Sequence, residues 1–303
     1  MGLLGGTASV TRFTVVRRPE EPDFERWAFQ EIPPGGEVRE RVGFVPFEPG
    51  AAYRIGHQRW AFRVRRDLLR PDGTAVRELL AALIANEKEQ TEAASIGGQK
   101  RKKLRELAEA EIVSRTAPRT RLTECVLDGN VLWVGSTANT ALSTAMALAR
   151  AAGLELMWKT PWIDRGEDDL ESELFPNLGP AQSVLGCRFL KALTGHGDIL
   201  FEPEKGNVTL VTPEARVALR GEVLGDLGRY LQRECELLSA RLLWDDLQFR
   251  FDALAFRVNG IVVNIEKADN WVDRVEARLE RIAALYTFLD EAYGSVSAKL
   301  REA

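Results

Sequence analysis

The pair Asp128-Gly129, which stands between two short apolar runs, constrains the fold more than any other feature of the sequence. Asp-Gly in such a setting is a strong signal for a tight β-hairpin, because the turn needs residues that tolerate positive φ. The second run, at 131–135, leads into an Ala-rich helix predicted at about 138–152 and then into a strand at 154–158. This order of strand, strand, helix and strand predicts a sheet with helices packed on one face.

The second half of the chain shows the same style. Strands predicted at 239–244 and 248–251 turn at Asp245-Asp246, and two further strands turn at Asn259-Gly260. A long helix closes the chain, since apolar residues recur there at helical spacing: Trp271, Val275, Leu279, Ile282, Tyr286 and Leu289. We therefore predict an α+β fold with mixed or antiparallel sheets, hairpins and packed helices.

The length of 303 residues is enough for about two domains. The stretch 161–180 is acidic and rich in Pro and Gly, which is typical of a linker. We predict an N-terminal α+β region at 1–160 that contains a basic helix pair, this linker, and a C-terminal α+β region at 181–303.

Positive charge is concentrated between residues 97 and 121. This stretch has eight Lys and Arg residues against three Glu, a net charge of +5 in a chain of net charge −4, which leaves −9 for the rest. Its apolar spacing predicts a helix that begins near Gln99, separated by Gly97-Gly98 from a helix that follows a turn at 71–74. The basic residues are Lys100, Arg101, Lys102, Lys103, Arg105, Arg115, Arg119 and Arg121.

The position of these cations is unfavourable for the helix itself. The helix dipole is positive at the N-terminus, so each cation in the first turn costs about 0.3–1 kcal/mol at an exposed site. Free backbone N–H groups beside a basic cluster can bind phosphate, which would offset that cost. A solvated charged surface is the alternative explanation.

A second basic pattern lies in the strand predicted at 59–66. Arg59, Arg63 and Arg65 share one face of it, because strand side chains alternate, while Trp60 and Phe62 point the other way. This face is either a second positive surface or the ordinary solvated face of a half-buried antiparallel sheet.

The sequence has no recognisable catalytic motif. His57 and His196 are the only histidines, and phosphate loops and nucleophile elbows are missing. Three widely spaced cysteines and no apolar run of about 18 residues argue against a disulfide framework, a zinc site and a membrane span. We predict a cytoplasmic protein with no catalytic residues, metal or cofactor.

Phosphate binding by these cations would suit a DNA-binding protein, and two alternatives to that function stay open. One is a metal-dependent nuclease, because paired metals held by carboxylates cleave phosphodiesters. The other is an interaction scaffold whose basic face binds an acidic protein. Candidate acids for the nuclease are Asp168, Asp169, Asp198, Glu202, Glu204, Asp245, Asp246 and Glu266.

Several features occur in an order that resembles the bacterial recombination-associated protein RdgC family. They are Gly43-Phe44-Val45-Pro46, the arginine-bearing strand, the helix after a proline turn, the basic second helix, and Pro118-Arg119 before a hairpin. The resemblance covers about the first 160 residues. It departs at Thr120-Arg121, where the family commonly has Ala-Phe in a dimer contact.

The resemblance implies a crescent-shaped subunit that forms a homodimeric ring around double-stranded DNA. It further implies binding without sequence preference, association with the nucleoid, and restraint of RecA-promoted strand exchange. We expect the eight cations of 97–121, together with Arg59, Arg63 and Arg65, to contact phosphates.

Overall fold

A computed structural model of the protein describes residues 2–33, 38–92, 94–167, 170, 172–202, 206–221, 223–233, 235–265 and 268–302. Contacts group the chain into two compact units. The larger unit comprises residues 1–22, 46–62 and 123–303, and the smaller unit comprises 23–45 and 63–122. The predicted linker at 161–180 between two separately folding regions stays a prediction. Its residues 168, 169 and 171 lie outside the described residues.

The described residues form twelve strands and seven helices. The strands are β1 (Thr7–Arg17), β2 (Glu40–Val45), β3 (Arg59–Leu68), β4 (Arg119–Asp128), β5 (Val131–Val134), β6 (Glu155–Trp158), β7 (Ile199–Phe201), β8 (Asn207–Val211), β9 (Arg216–Arg220), β10 (Glu236–Trp244), β11 (Leu247–Asp252) and β12 (Arg257–Val262). The helices are α1 (Gly73–Thr91), α2 (Gly98–Arg115), α3 (Asn139–Ala151), α4 (Pro161–Asp164), α5 (Val184–Ala192), α6 (Val223–Leu231) and α7 (Trp271–Glu302). The fold is α+β, as the sequence predicts. Among the described residues, none of the helices combines the length and the apolar character needed to cross a bilayer.

The sheet of the larger unit is antiparallel. Its strand order is β4-β5-β1-β12-β11-β10-β8-β9, while β6 also pairs with β1 and β7 also pairs with β10. β1 is central because its first residues pair with β12 and its later residues pair with β5 and β6.

The core of the larger unit lies where α5 and α7 pack on this sheet. Phe189 of α5 contacts Phe251 of β11 and Tyr293 of α7, with ring centroids 6.2 and 5.4 Å apart. Burying each such side chain contributes about 1.5–3 kcal/mol. The predicted stripe of α7 is confirmed, because five of its six residues are buried: Val275, Leu279, Ile282, Tyr286 and Leu289. The sixth, Trp271, is partly buried and stacks on Phe47.

Two turn predictions had opposite outcomes. Asp128-Gly129 ends β4 and begins the turn into β5, and Gly129 has φ +58°, so the predicted hairpin is confirmed. The prediction at Asn259-Gly260 is wrong, because both residues lie inside β12. Gly260 has φ +60°, and the register of β12 against β1 and β11 is irregular nearby. Asn259-Gly260, which has the sequence of a turn, therefore forms an irregular position within a strand.

The smaller unit has a compact core of its own around β2 and β3. Phe44 is 1% exposed and packs edge-on against Phe24, with ring centroids 4.9 Å apart. Gly43 allows the segment before β2 to approach, since a Cβ there would lie 2.3 Å from the Cα of Phe29. The backbone N–H of Phe29 donates to the carbonyl of Phe44 at 2.9 Å. This contact explains why the apolar motif at 43–46 begins with glycine.

The helices α1 and α2 of the smaller unit pack against each other and are joined by residues 92–97. Leu104, Ala108 and Val113 of α2 are buried, but among the apolar residues of α1 only Val76 is buried. Leu107 of α2 is 60% exposed. The helix pair thus carries a thinner core than the larger unit.

Candidate nucleic-acid interface

The start of α2 has the geometry that the sequence predicts. α1 begins with a side-chain cap, in which the Asp72 carboxylate accepts from the Thr74 N–H at 2.9 Å. α2 has Gly97 at its N-cap and no side-chain cap, and its first turn holds Lys100 and Arg101. Its free N–H groups and its dipole both favour an anion at this end.

The four consecutive cations 100–103 of α2 are all exposed. Successive helix residues are rotated by about 100°, so these four side chains are spread through about 300° around the axis. Leu104 and Ala108 mark the buried side of α2. The cations therefore surround the start of the helix and do not form a single flat face.

Three of the eight cations of 97–121 are paired with glutamates. Lys100 lies 3.0 Å from Glu87 of α1, and within α2 Arg105 pairs with Glu109 at 3.2 Å and Arg115 with Glu111 at 2.5 Å. Exposed pairs of this kind contribute about 0–1 kcal/mol, but they reduce the charge that an incoming phosphate meets. The other five form no ion pair with any residue that the structure describes, and we call them the open cations: Arg101, Lys102, Lys103, Arg119 and Arg121.

Arg119 and Arg121 lie at the start of β4, on the opposite sheet face from Arg65. β3 and β4 are neighbours in the sheet, and the Thr120 hydroxyl lies close enough to the carboxylate of Asp67 to lower its pKa. Asp67 shares its face of β3 with Arg65. Because side chains alternate along a strand, the neighbours of Thr120 point the other way. The structure therefore does not bring these arginines together on one surface.

Arg65 is bound to a carboxylate rather than open to solvent. Its Nε and Nη2 donate to the two carboxylate oxygens of Asp67 at 3.0 and 2.7 Å, and its guanidinium lies 4.2 Å from the ring centre of Phe29. The hydrogen bonds from Arg65 hold the pKa of Asp67 below its usual range. Arg63 is partly buried on the same face of β3.

Arg59 belongs to the larger unit and is held by two carboxylates. Its Nε and Nη2 donate to Asp128 at 3.0 Å each, and its Nη1 donates to Glu276 at 2.6 Å. The Asp128 hydrogen bond is the largest cause that raises the pKa of Arg59. This arrangement ties the tip of the β4–β5 hairpin to α7, which favours a structural role for Arg59.

Sequence reasoning missed two further arginines of the smaller unit. Arg66 of β3 donates to Glu40 of β2 at 2.8 Å, on the sheet face that Arg119 shares. Arg39 lies 3.9 Å from Glu109, which also accepts from Arg105. The run Arg65-Arg66 is visible in the sequence, but the predicted basic surface included only the strand face of Arg65, and Arg66 points to the other face.

Charge divides unequally between the two units. With the boundaries found here, the smaller unit has seventeen Lys and Arg against fourteen Asp and Glu, a net charge of +3. The whole chain carries −4, so the larger unit carries −7. Polyanions are therefore attracted to the smaller unit and repelled by the larger one.

Each candidate nuclease acid that the structure describes lies near a basic side chain. Glu202 pairs with Arg241 at 2.7 Å, Arg281 pairs with Asp245 and Asp246, and Asp198 lies 3.8 Å from His196. Asp168, Asp169, Glu204 and Glu266 lie outside the described residues. Within the part of the chain that is described, no three His, Cys, Asp or Glu side chains are grouped so that they could hold a metal ion.

The three cysteines and His57 are the remaining candidates for reactive side chains. Cys125, Cys187 and Cys235 are all buried and form no disulfide, and burial raises the pKa of Cys125 and of Cys235. His57 is exposed. Because the thiolate is the reactive form, the raised pKa values make Cys125 and Cys235 poor nucleophiles.

No family model matches the chain, and no curated protein matches it.

Proposed function

We propose that the smaller unit binds double-stranded DNA without sequence preference, through the open cations at the start of α2 and of β4. The observation that carries this proposal is the group of exposed cations that have no carboxylate partner among the described residues, in the unit of net charge +3. Lys and Arg bind phosphate oxygens, and phosphate contacts position a protein on the duplex without reading bases.

The role of the paired arginines differs from that of the open cations. Arg59 and Arg65 already donate to carboxylates, so a phosphate would have to displace an internal partner. Arg105 and Arg115 share their charge with glutamates one turn away. We therefore assign the phosphate contacts to the open cations and a structural role to Arg59 and Arg65.

The wider function follows the resemblance to the RdgC family and is part of the proposal. The protein would act as a homodimer that encloses duplex DNA, associate with the nucleoid, and restrain RecA-promoted strand exchange by occupying the DNA. A closed ring predicts different behaviour on linear and circular DNA, because a ring can slide off the end of a linear duplex but is retained on a circle.

A direct test measures binding to linear and circular duplex of the same sequence at increasing salt, with the mass of the protein in solution determined in parallel. Retention on circular DNA at a salt concentration that releases linear DNA supports the ring. Binding that does not respond to salt would exclude the phosphate mechanism altogether. Incubation with Mg²⁺ or Mn²⁺ should leave linear DNA at full length, and metal-dependent shortening would favour the nuclease.

A protein-interaction scaffold is the second candidate function. Leu107 of α2 is 60% exposed and Leu122 of β4 is 50% exposed, close in sequence to the open cations. Exposed apolar side chains beside charges occur at protein interfaces. In the DNA-binding assay an acidic polypeptide would then compete at least as well as unlabelled DNA, whereas the proposed function predicts that DNA competes far better.

A further inference from the structure

A small cavity of about 270 Å³ opens in the larger unit beside the N-terminus of α3. Arg257 of β12 and Trp158 of β6 line it, together with Asn139 and Ser143 of α3 and Gln182 from the turn before α5. Asn139 and Ser143 are four residues apart, so they lie on the same face of the helix. The cavity is smaller than the pockets of about 300–1,000 Å³ that hold drug-sized molecules.

Arg257 places a buried positive charge in the wall of this cavity. The residue is 8% exposed, and its guanidinium lies 5.2 Å from the ring centre of Trp158. Its Nη1 donates to the Thr137 carbonyl at 3.2 Å and to the Asn139 side-chain oxygen at 3.5 Å. Its buried Nε makes no hydrogen bond, and the guanidinium forms no ion pair with a carboxylate of the described residues.

A buried charge without a carboxylate in direct contact is unfavourable. Desolvation lowers the pKa of Arg257, and the charge of Asp252, its cross-strand neighbour on β11, only partly opposes that effect. An anion in the cavity would compensate the guanidinium at short range and accept hydrogen bonds from it.

The N-terminus of α3 adds a second source of positive potential at the same place. Ala138 occupies the N-cap and cannot cap through its side chain, and no side chain in the described part of the protein caps the first-turn N–H groups. The first turn, which begins with Asn139, contains no acidic residue. In a helix of 13 residues the dipole favours an anion here.

We propose that this cavity is a binding site for a small oxyanion, the carboxylate or phosphate group of a small molecule, held by Arg257 and the N-terminus of α3. The buried guanidinium supplies charge-assisted hydrogen bonds, and the helix N-terminus supplies further donors. Trp158 and Leu142 provide an apolar wall for the rest of the ligand. This site is independent of the proposed DNA binding.

Calorimetric titration with inorganic phosphate and, separately, with acetate tests the proposal at constant ionic strength. Ser143→Asp puts a negative charge on the cavity face of α3 and should weaken binding at least about tenfold, since charge repels the anion at short range. Thr144→Asp is the matched control, because Thr144 follows Ser143 directly in α3 but lies outside the first turn and does not line the cavity. It should keep affinity within about threefold. Both substitutions are compatible with the helix dipole, so both variants should fold.

Arg257→Gln provides a second arm and should abolish binding of both anions, with circular dichroism as the check on folding. Tighter binding of phosphate assigns the site to phosphate esters, and tighter binding of acetate assigns it to carboxylates; either result supports the proposal. It is overturned if neither anion binds to the unaltered protein, or if the two aspartate variants weaken binding equally. Should Arg257→Gln fail to fold, the comparison of Ser143→Asp with Thr144→Asp decides.

Discussion

Neutralising the cluster at the start of α2 should change the salt dependence of DNA binding by an amount that the structure fixes. The variant replaces Arg101, Lys102 and Lys103 by Gln. These are three of the open cations, and Arg119 and Arg121 remain. If each open cation neutralises one phosphate, five such contacts per chain give a slope of log K against log salt of about −4.5.

The triple variant keeps two contacts, and its slope should fall to about −1.8. Between 50 and 200 mM salt the affinity of the unaltered protein should then drop by about 500-fold, and that of the variant by only about 12-fold. A homodimer that engages both chains would double both slopes and preserve their ratio. The ratio is therefore the quantity that tests the assignment of residues.

The assay is fluorescence anisotropy of a labelled duplex over this range of salt. A matched control replaces Arg70, Arg77 and Lys88 by Gln, which removes three exposed cations from the same unit but from outside α2 and β4. The control should keep the slope of the unaltered protein to within about one unit. If it lowers the slope as much as the triple variant does, net charge and not this cluster drives binding, and the assignment is refuted.

The same triple variant separates a binding role from a structural one. Arg101 lies in the first turn of α2, where a cation opposes the dipole by about 0.3–1 kcal/mol. Replacing Arg101 in the triple variant should leave the melting temperature of the protein unchanged or slightly raised. A marked fall in stability would show that the cluster supports the fold.

Four further changes test the packing. Leu289→Ala on α7, at a side chain that is 0% exposed, should lower the free energy of unfolding by about 2–5 kcal/mol in urea denaturation. Tyr286→Phe removes the hydroxyl that bonds Val10 and Val258 and should lower it by about 1–3 kcal/mol; an unchanged value would contradict a contribution from these bonds. Asp67→Asn should destabilise at neutral pH, because the lowered pKa of Asp67 makes its carboxylate stabilising above the ordinary carboxyl pKa of about 4. That contribution is lost as pH falls toward and through the lower folded pKa, so a difference from the unaltered protein that does not narrow between about pH 5 and pH 2 would refute this. Gly43→Ala should cost at least about 1–3 kcal/mol because its Cβ would meet the Phe29 backbone, and thermal melting measures it.

Local signals predicted local structure well. Asp128-Gly129 formed its hairpin, Gly97 preceded a new helix, and the stripe that ends at Leu289 became the buried face of α7. In each case residues close in sequence determine the conformation, through positive φ at a glycine, the loss of helix propensity at paired glycines, or the spacing of apolar side chains.

Long-range pairing overrode a local signal at Asn259-Gly260. The pair has the chemistry of a turn, but β12 is held on both sides by β1 and β11. The ladder hydrogen bonds on the two sides keep the strand continuous, and Gly260 absorbs the irregularity with its positive φ.

The sequence by itself determined the type of fold, the helix pair and the concentration of cations at the start of α2, because these follow from spacing and charge along the chain. Only the tertiary structure decided which cations remain open. Arg59 is bound by Asp128 and Glu276, which are 69 and 217 residues away in the sequence. The sequence near residue 59 does not predict these partners. Arg257 is a second example, because three segments that are distant from it in the sequence, at 139–143, 158 and 179–182, line the same cavity. An ionic partner is a property of the folded neighbourhood, so charge can be counted from sequence, but its availability cannot.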